Sequence, residues 1–100
     1  MAGAEIDVEE LMGSRGRIRV LRVLSEAREM NISEVGRRTG MNYTSVERHL
    51  EALRGLGLLR EKRYGKIRIY EALFNSITVR FERNRGVRID VESPSHFDDP

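Results

Sequence analysis

The chain of 100 residues has no cysteine, no tryptophan and only two prolines. Without cysteine there is no disulfide framework and no thiolate metal site. Aromatic residues make up 6% of the chain, and they form no paired platform of the kind on which single-stranded RNA stacks. No uncharged apolar run approaches the ~18–20 residues that a membrane span needs. The opening MAGAEIDVEE is acidic, where a signal peptide is basic. Catalytic constellations are also missing: there is no glycine-rich phosphate loop, no acid pair and no metal box. Ser45 and His49 stand at i,i+4, without a third group to orient them. The expectation is one small cytoplasmic domain, not an enzyme, with no cofactor and no membrane partner.

What is present is basic charge, unevenly placed. The formal net charge is +2, but residues 1–12 and 90–100 each carry four acids and no base. The stretch 13–89 therefore holds all 18 basic residues against eight acids, a net of +10. A basic unit of this kind is an electrostatic footprint for a polyanion. Sixteen of the bases are arginine, which suits bidentate phosphate and guanine contacts. Heat adaptation or coding bias would give the same ratio of Arg to Lys. The acidic ends would compete with phosphate for the arginine surface.

Hydrophobic spacing divides the chain into short elements. Val8, Leu11 and Met12 share one face of a short acidic helix within residues 1–13. Ser14 can cap a second helix running to about Arg28, with Val20, Leu21, Leu24 and Ala27 as its apolar stripe. Ser33 can cap a two-turn helix, Glu34 to Thr39, which ends at Gly40. Asn42 can cap a longer helix to Leu56, in which Val46, Leu50, Leu53 and Leu56 keep one clean stripe. A short helix, a glycine-containing turn and a longer amphipathic helix form the helix-turn-helix signature. Period-two patterning then predicts a hairpin through Tyr64-Gly65, with Ile67, Ile69 and, less regularly, Ala72 and Leu73 continuing on the return strand and Arg68 and Tyr70 on the other face. Such a basic hairpin is called a wing. Ile77, Val79 and Phe81, followed by Val87, Ile89 and Val91, alternate again, which favours a second hairpin over 74–92. The alternative there is a dimerisation helix using Phe74, Ile77 and Phe81. Residues 93–100 read as a disordered acidic tail. The fold class is thus mainly α with a β wing, an α+β winged helix-turn-helix over 14–73.

Several residues carry a family likeness: Ile32, Val35, Gly40, the stretch Ser45-Val46-x-x-His49-Leu50, Leu53, Gly57-Leu58-Leu59 and the tip Tyr64-Gly65-Lys66. With these residues the chain resembles the winged helix-turn-helix of prokaryotic transcriptional regulators, most of all the arsenic-repressor-like (ArsR-like) branch, with MarR-like regulators close behind. Metal-sensing members of that family place two cysteines at the start of the first motif helix. Asn31 and Ser33 stand there instead, and neither is a soft ligand. A site built from His49 and His96 would join the DNA-reading helix to the tail, so no metal is expected.

The resemblance implies sequence-specific binding of double-stranded DNA by a homodimer, with the helix over 43–56 in the major groove and the wing over 60–68 on the minor groove and backbone. Tyr43, Thr44, Ser45, Glu47 and Arg48 point away from the apolar stripe and are the candidate readers. Arg48 is the candidate guanine contact, or else a partner of Glu47 or Glu51. Arg15, Arg17, Arg37 and Arg38 are candidate backbone contacts. Arg60, Lys62, Arg63, Tyr64, Lys66 and Arg68 are the wing set. Residues 8–12 and 74–91 are the spare apolar surfaces for a homodimer. The alternative function is a winged-helix adaptor that contacts proteins without specific DNA binding.

Overall fold

A computed structural model describes residues 5–94, so residues 95–100, with most of the expected acidic tail and His96, lie outside the described residues. Asp7 accepts a hydrogen bond from the Glu9 amide and opens α1 (Val8–Met12), which buries Leu11 and stops at Gly13. Ser14 caps α2 (Arg15–Glu26) by accepting from the Arg17 amide at 3.0 Å. A short strand β1 (Glu29–Asn31) then precedes α3 (Ile32–Thr39). Spacing alone left β1 unseen, and it moves the helix start. The cap of α3 is Asn31, whose Oδ1 accepts from the Glu34 amide at 2.8 Å, and not Ser33. Asn31 thus serves as last strand residue and as cap, which places Ile32 in the core.

Gly40 takes a left-handed φ of 74° and turns the chain into α4 (Tyr43–Gly55), capped by Asn42. Gly57, at φ 82°, turns it again into β2 (Leu59–Tyr64). A two-residue loop with Gly65 at φ 62° leads to β3 (Ile67–Ala72), the geometry that keeps paired strands in their natural twist. β3 lies between β1 and β2, antiparallel to both.

The core lies where the helices meet this sheet. Val20, Val23 and Leu24 of α2, Ile32 and Val35 of α3, and Val46, Leu50 and Leu53 of α4 are closed over by Leu58, Leu59, Tyr70, Ala72 and Phe74. α2 crosses close above α4 because residue 16 is glycine: a Cβ there would stand 2.7 Å from His49 Nε2 and 3.0 Å from Met41 Sδ.

The face assignment of β3 is the main correction. Tyr70 is fully buried and Arg68 is largely covered, whereas Ile67 is 54% exposed. The strand turns its arginine and tyrosine toward α4 and its isoleucines outward. Tyr70 is larger than either isoleucine and fills the space over α4. Glu47 and Glu51 of α4 and Glu61 of β2 give Arg68 its partners on the inner side.

Residues 74–92 form strands and not the alternative helix. β4 (Ser76–Glu82) pairs antiparallel with β5 (Gly86–Glu92), and the Asn75 amide donates to the Glu92 carbonyl at 2.7 Å. Ile77, Val79 and Phe81 face Val91, Ile89 and Val87 across the ladder, so all six share one side.

Candidate nucleic-acid interface

The first turns of α4 are presented outward because Val46, Leu50 and Leu53 draw its opposite side into the core. Asn42 Oδ1 accepts the Ser45 amide at 2.9 Å, leaving the Thr44 and Ser45 hydroxyls free of intrahelical duty. Thr44 and Arg48 are exposed. Arg48 takes neither Glu47 nor Glu51, and among the described residues it makes no ion pair. The same holds for Arg15, at the start of α2, and for Lys66, at the wing tip. Tyr64, beside that tip, is 58% exposed.

The other expected contacts are already engaged. Arg17 turns inward: its Nε donates to His49 Nδ1 at 3.3 Å and its Nη1 to the Glu10 carbonyl at 2.6 Å. His49 is 5% exposed. Burial first, and the Arg17 and Arg48 cations second, hold its imidazolium below the usual histidine range, so the ring accepts from Arg17 in its neutral form. Arg37 and Arg38 both pair with Glu34 on their own helix yet stay well exposed. On the outer face of the wing Arg60 bonds Glu71 at 2.8 Å and Lys62 bonds Glu29 at 2.7 Å. Burial works against the Glu71 carboxylate, but Arg60 and Lys62 outweigh it and hold its carboxyl below the usual value. Arg63 pairs with Glu61 at 3.1 Å, with most of its side chain in solvent.

Arg68 sits at the centre of a network joining wing and helix. Its Nε donates to Glu61 at 2.7 Å, and its Nη1 to Glu47 at 2.7 Å and to the Tyr43 hydroxyl at 2.9 Å. Its Nη2 donates to the Tyr70 hydroxyl at 2.8 Å. Tyr70 in turn donates to Glu51 at 2.6 Å, and Arg54 closes on Glu51 from the next turn. Burial and the Glu51 carboxylate raise the Tyr70 phenol well above its usual value, so it stays protonated and donates. The Glu51 carboxyl is held low by Arg54 and then Tyr70, and that of Glu61 by Arg68.

Two of the expected readers, Tyr43 and Glu47, are therefore occupied by Arg68, while Thr44, Ser45 and Arg48 remain directed outward. Sequence spacing missed Glu51, Glu61 and Tyr70 as members of this joint. A signal was present: three acids, Glu47, Glu51 and Glu61, sit inside a basic stretch whose outer surface has no use for them. It also passed over Arg80, Arg83, Arg85 and Arg88 on the second hairpin, all exposed. Among the described residues no His, Asp and Glu cluster could hold a metal ion, and no helix is long and apolar enough to cross a membrane.

Residues 14–61 match the family model described as "Bacterial regulatory protein, arsR family", a family of regulators and not of enzymes. Two solved structures from Mycobacterium bovis are similar. One, a "possible transcriptional regulatory protein" (fragment 1-100), is 28% identical, with a TM-score of 0.59 over 65% of this chain and 69% of that one. The other, a solution structure of a "homodimeric winged helix-turn-helix DNA-binding domain" from "a possible ArsR-family transcriptional regulator", is 26% identical, with a TM-score of 0.56 over 72% of this chain and 75% of that one. No curated protein matches the chain.

Proposed function

We infer, from the place of the winged helix-turn-helix domain of residues 14–61 in the ArsR family, that this chain is a transcriptional regulator that binds duplex DNA sequence-specifically as a homodimer. One observation carries the reading. The first turns of α4 offer Thr44, Ser45 and Arg48, the wing tip offers Lys66, neither cation is ion-paired among the described residues, and Arg68 bonds the two elements together. α4 then enters the major groove, where Arg48 meets a guanine edge and Thr44 and Ser45 meet bases or phosphates. Lys66 and Arg63 lie along the minor groove or backbone, whose negative potential draws them. Arg15, at the start of α2, and Arg37 and Arg38, in the last turn of α3, supply phosphate contacts.

The homodimer reading rests on the second hairpin. Phe81 is 75% exposed, Val87 41% and Val91 36%, an apolar row that water meets unless a second copy covers it. It continues into a groove of about 430 Å³ lined by Leu11, Met12, Ile18, Leu21, Phe74 and Ile77, among others. The similar solution structure is itself homodimeric. The adaptor alternative can claim the same row, but it leaves the unpaired cations of the motif without a role. Family and site together give no catalytic reading, and a cytoplasmic location follows from the proposed partner.

The test is a gel-shift comparison of random duplex, single strands and RNA across a salt titration. The reading expects duplex to win, with an affinity that falls linearly with salt on logarithmic axes. Equal binding of single strands, or none that responds to salt, would remove it.

A further inference from the structure

We propose that Arg68, although it belongs to the basic wing, is a positioning residue for DNA recognition that does not touch DNA: it locks the wing to the recognition helix and holds Glu47 away from the groove.

The donor geometry argues for this. A guanidinium has five N–H donors in a rigid fork. In Arg68 the Nε is taken by Glu61, both Nη1 donors by Glu47 and Tyr43, and one Nη2 donor by Tyr70. The remaining Nη2 donor faces Glu51 at 3.9 Å, and the guanidinium carbon lies 5.7 Å from the Tyr70 ring centroid. Only 13% of the side chain is exposed. Four of the five donors are taken, and the fifth points at a carboxylate from a largely covered side chain, which is poor placement for a phosphate contact.

The partners come from both bodies that must meet DNA together. Glu61 and Tyr70 lie on β2 and β3, and Tyr43 and Glu47 on the first two turns of α4. With the Tyr70–Glu51 bond beside it, this side chain fixes the offset between wing and helix, and a reader of two grooves depends on that offset. The charge balance has the same consequence. Glu47, Glu51 and Glu61 would repel phosphate if left bare beside the reading surface, and Arg68 neutralises them internally. Lysine cannot replace it fully, because an ammonium is a point donor and not a fork.

This inference rests on the duplex-binding reading, so its test has one arm that needs no DNA. In Arg68→Gln, amide exchange across the wing tip, residues 63–67, should quicken about tenfold or more while the β4–β5 amides keep their wild-type rates, as loss of one local anchor predicts. The DNA arm uses a duplex selected by the wild-type protein from a random pool, compared with random duplex. Arg68→Gln should lose about tenfold of the selected-over-random preference, the scale of one misread base pair, with an unchanged salt slope. Adding Glu47→Gln to that variant should restore part of the preference, and Arg68→Lys should fall between Gln and wild type. A salt slope flatter by ~0.9 would make Arg68 a phosphate contact and overturn the proposal. Unchanged preference in folded protein would reduce it to a stability role and overturn it as well. Faster exchange combined with no duplex binding by the wild type would remove the DNA reading and leave only a structural clamp.

Discussion

The molecule carries two antiparallel hairpins of nearly equal length, built on opposite principles. The first, β2–β3, turns a polar face inward. Arg68, backed by Glu61, and Tyr70 bond across to α4, while β3 also pairs with β1 and inserts Tyr70 and Ala72 into the core. The second, β4–β5, turns an apolar face away from its own polar side, and much of it lies open: Phe81 at its far end is the most exposed large hydrophobic residue described. An isolated two-stranded hairpin is marginal in water. The first is held by a network and a third strand; the second has only its base, where Ile77, Val79 and Ile89 pack against the core. The polar face of the first hairpin is closed within the monomer; the apolar face of the second is the one that the proposed homodimer would cover.

The largest contrast should appear in stability. Tyr70→Ala removes a fully buried ring and should cost about 3–5 kcal/mol. Thermal melting would then fall by roughly 15 °C or more for a domain of this size. Phe81→Ala, at the exposed far end of the second hairpin, should shift the melt of dilute protein by less than about 0.5 kcal/mol. Equal losses at the two sites would erase the distinction between the hairpins.

Self-association should give the next effect, in the opposite place. Phe81→Glu with Val87→Glu should weaken dimerisation ~100-fold, the scale of losing a central aromatic anchor, while Tyr70→Phe should leave it unchanged. Sedimentation velocity over a concentration series reads this directly. A wild-type protein that stays monomeric at high micromolar concentration would contradict the assignment of the second hairpin.

How much of this could be read beforehand depends on what each feature is made of. Local chemistry was legible. The Asn42 cap, Gly40 as the left-handed stop, the stripe of Val46, Leu50 and Leu53, and the alternation of 77–81 with 87–91 all depend on neighbours in sequence. The facing of β3 was not legible, because Ile67-Arg68-Ile69-Tyr70 alternates equally well in either sense. The choice lies with Glu47 and Glu51, about twenty residues earlier, which reward an arginine and a tyrosine on the inner side. β1 is only three residues long and has no periodicity to detect. The candidate site was legible as a set of cations but not as a division of labour. Arg17 and Arg68 look like Arg15 and Arg48 in composition, and only the fold shows which of them find carboxylates or His49 first.

Acid offers a smaller and more selective way to separate the hairpins. Arg54 with Tyr70 holds Glu51, and Arg68 holds Glu61, below their ordinary 4.5. Carboxyl groups depressed in the folded state give stability that is complete above that value and is lost as pH falls through the lowered one. Both groups belong to the joint between α4 and the first hairpin. Lowering pH from about 6 to about 3 should therefore loosen that joint and lower the melting temperature. Arg68→Gln, which lacks the cation, should show a shallower loss of melting temperature over the same range. An equal pH response in both proteins would mean that the network carries no net stabilisation.

The central claim is that the first hairpin is the DNA wing, and the salt dependence of duplex binding tests it most directly. Arg63→Ala with Lys66→Ala removes the two cations that flank the tip; Arg63 shares Glu61 with Arg68, which keeps its own bonds to α4. Relative to wild type the double variant should weaken binding to all duplexes alike and flatten the salt slope by ~0.9 for each phosphate that the tip no longer neutralises. A slope identical to that of the wild-type protein would show that the wing does not touch DNA.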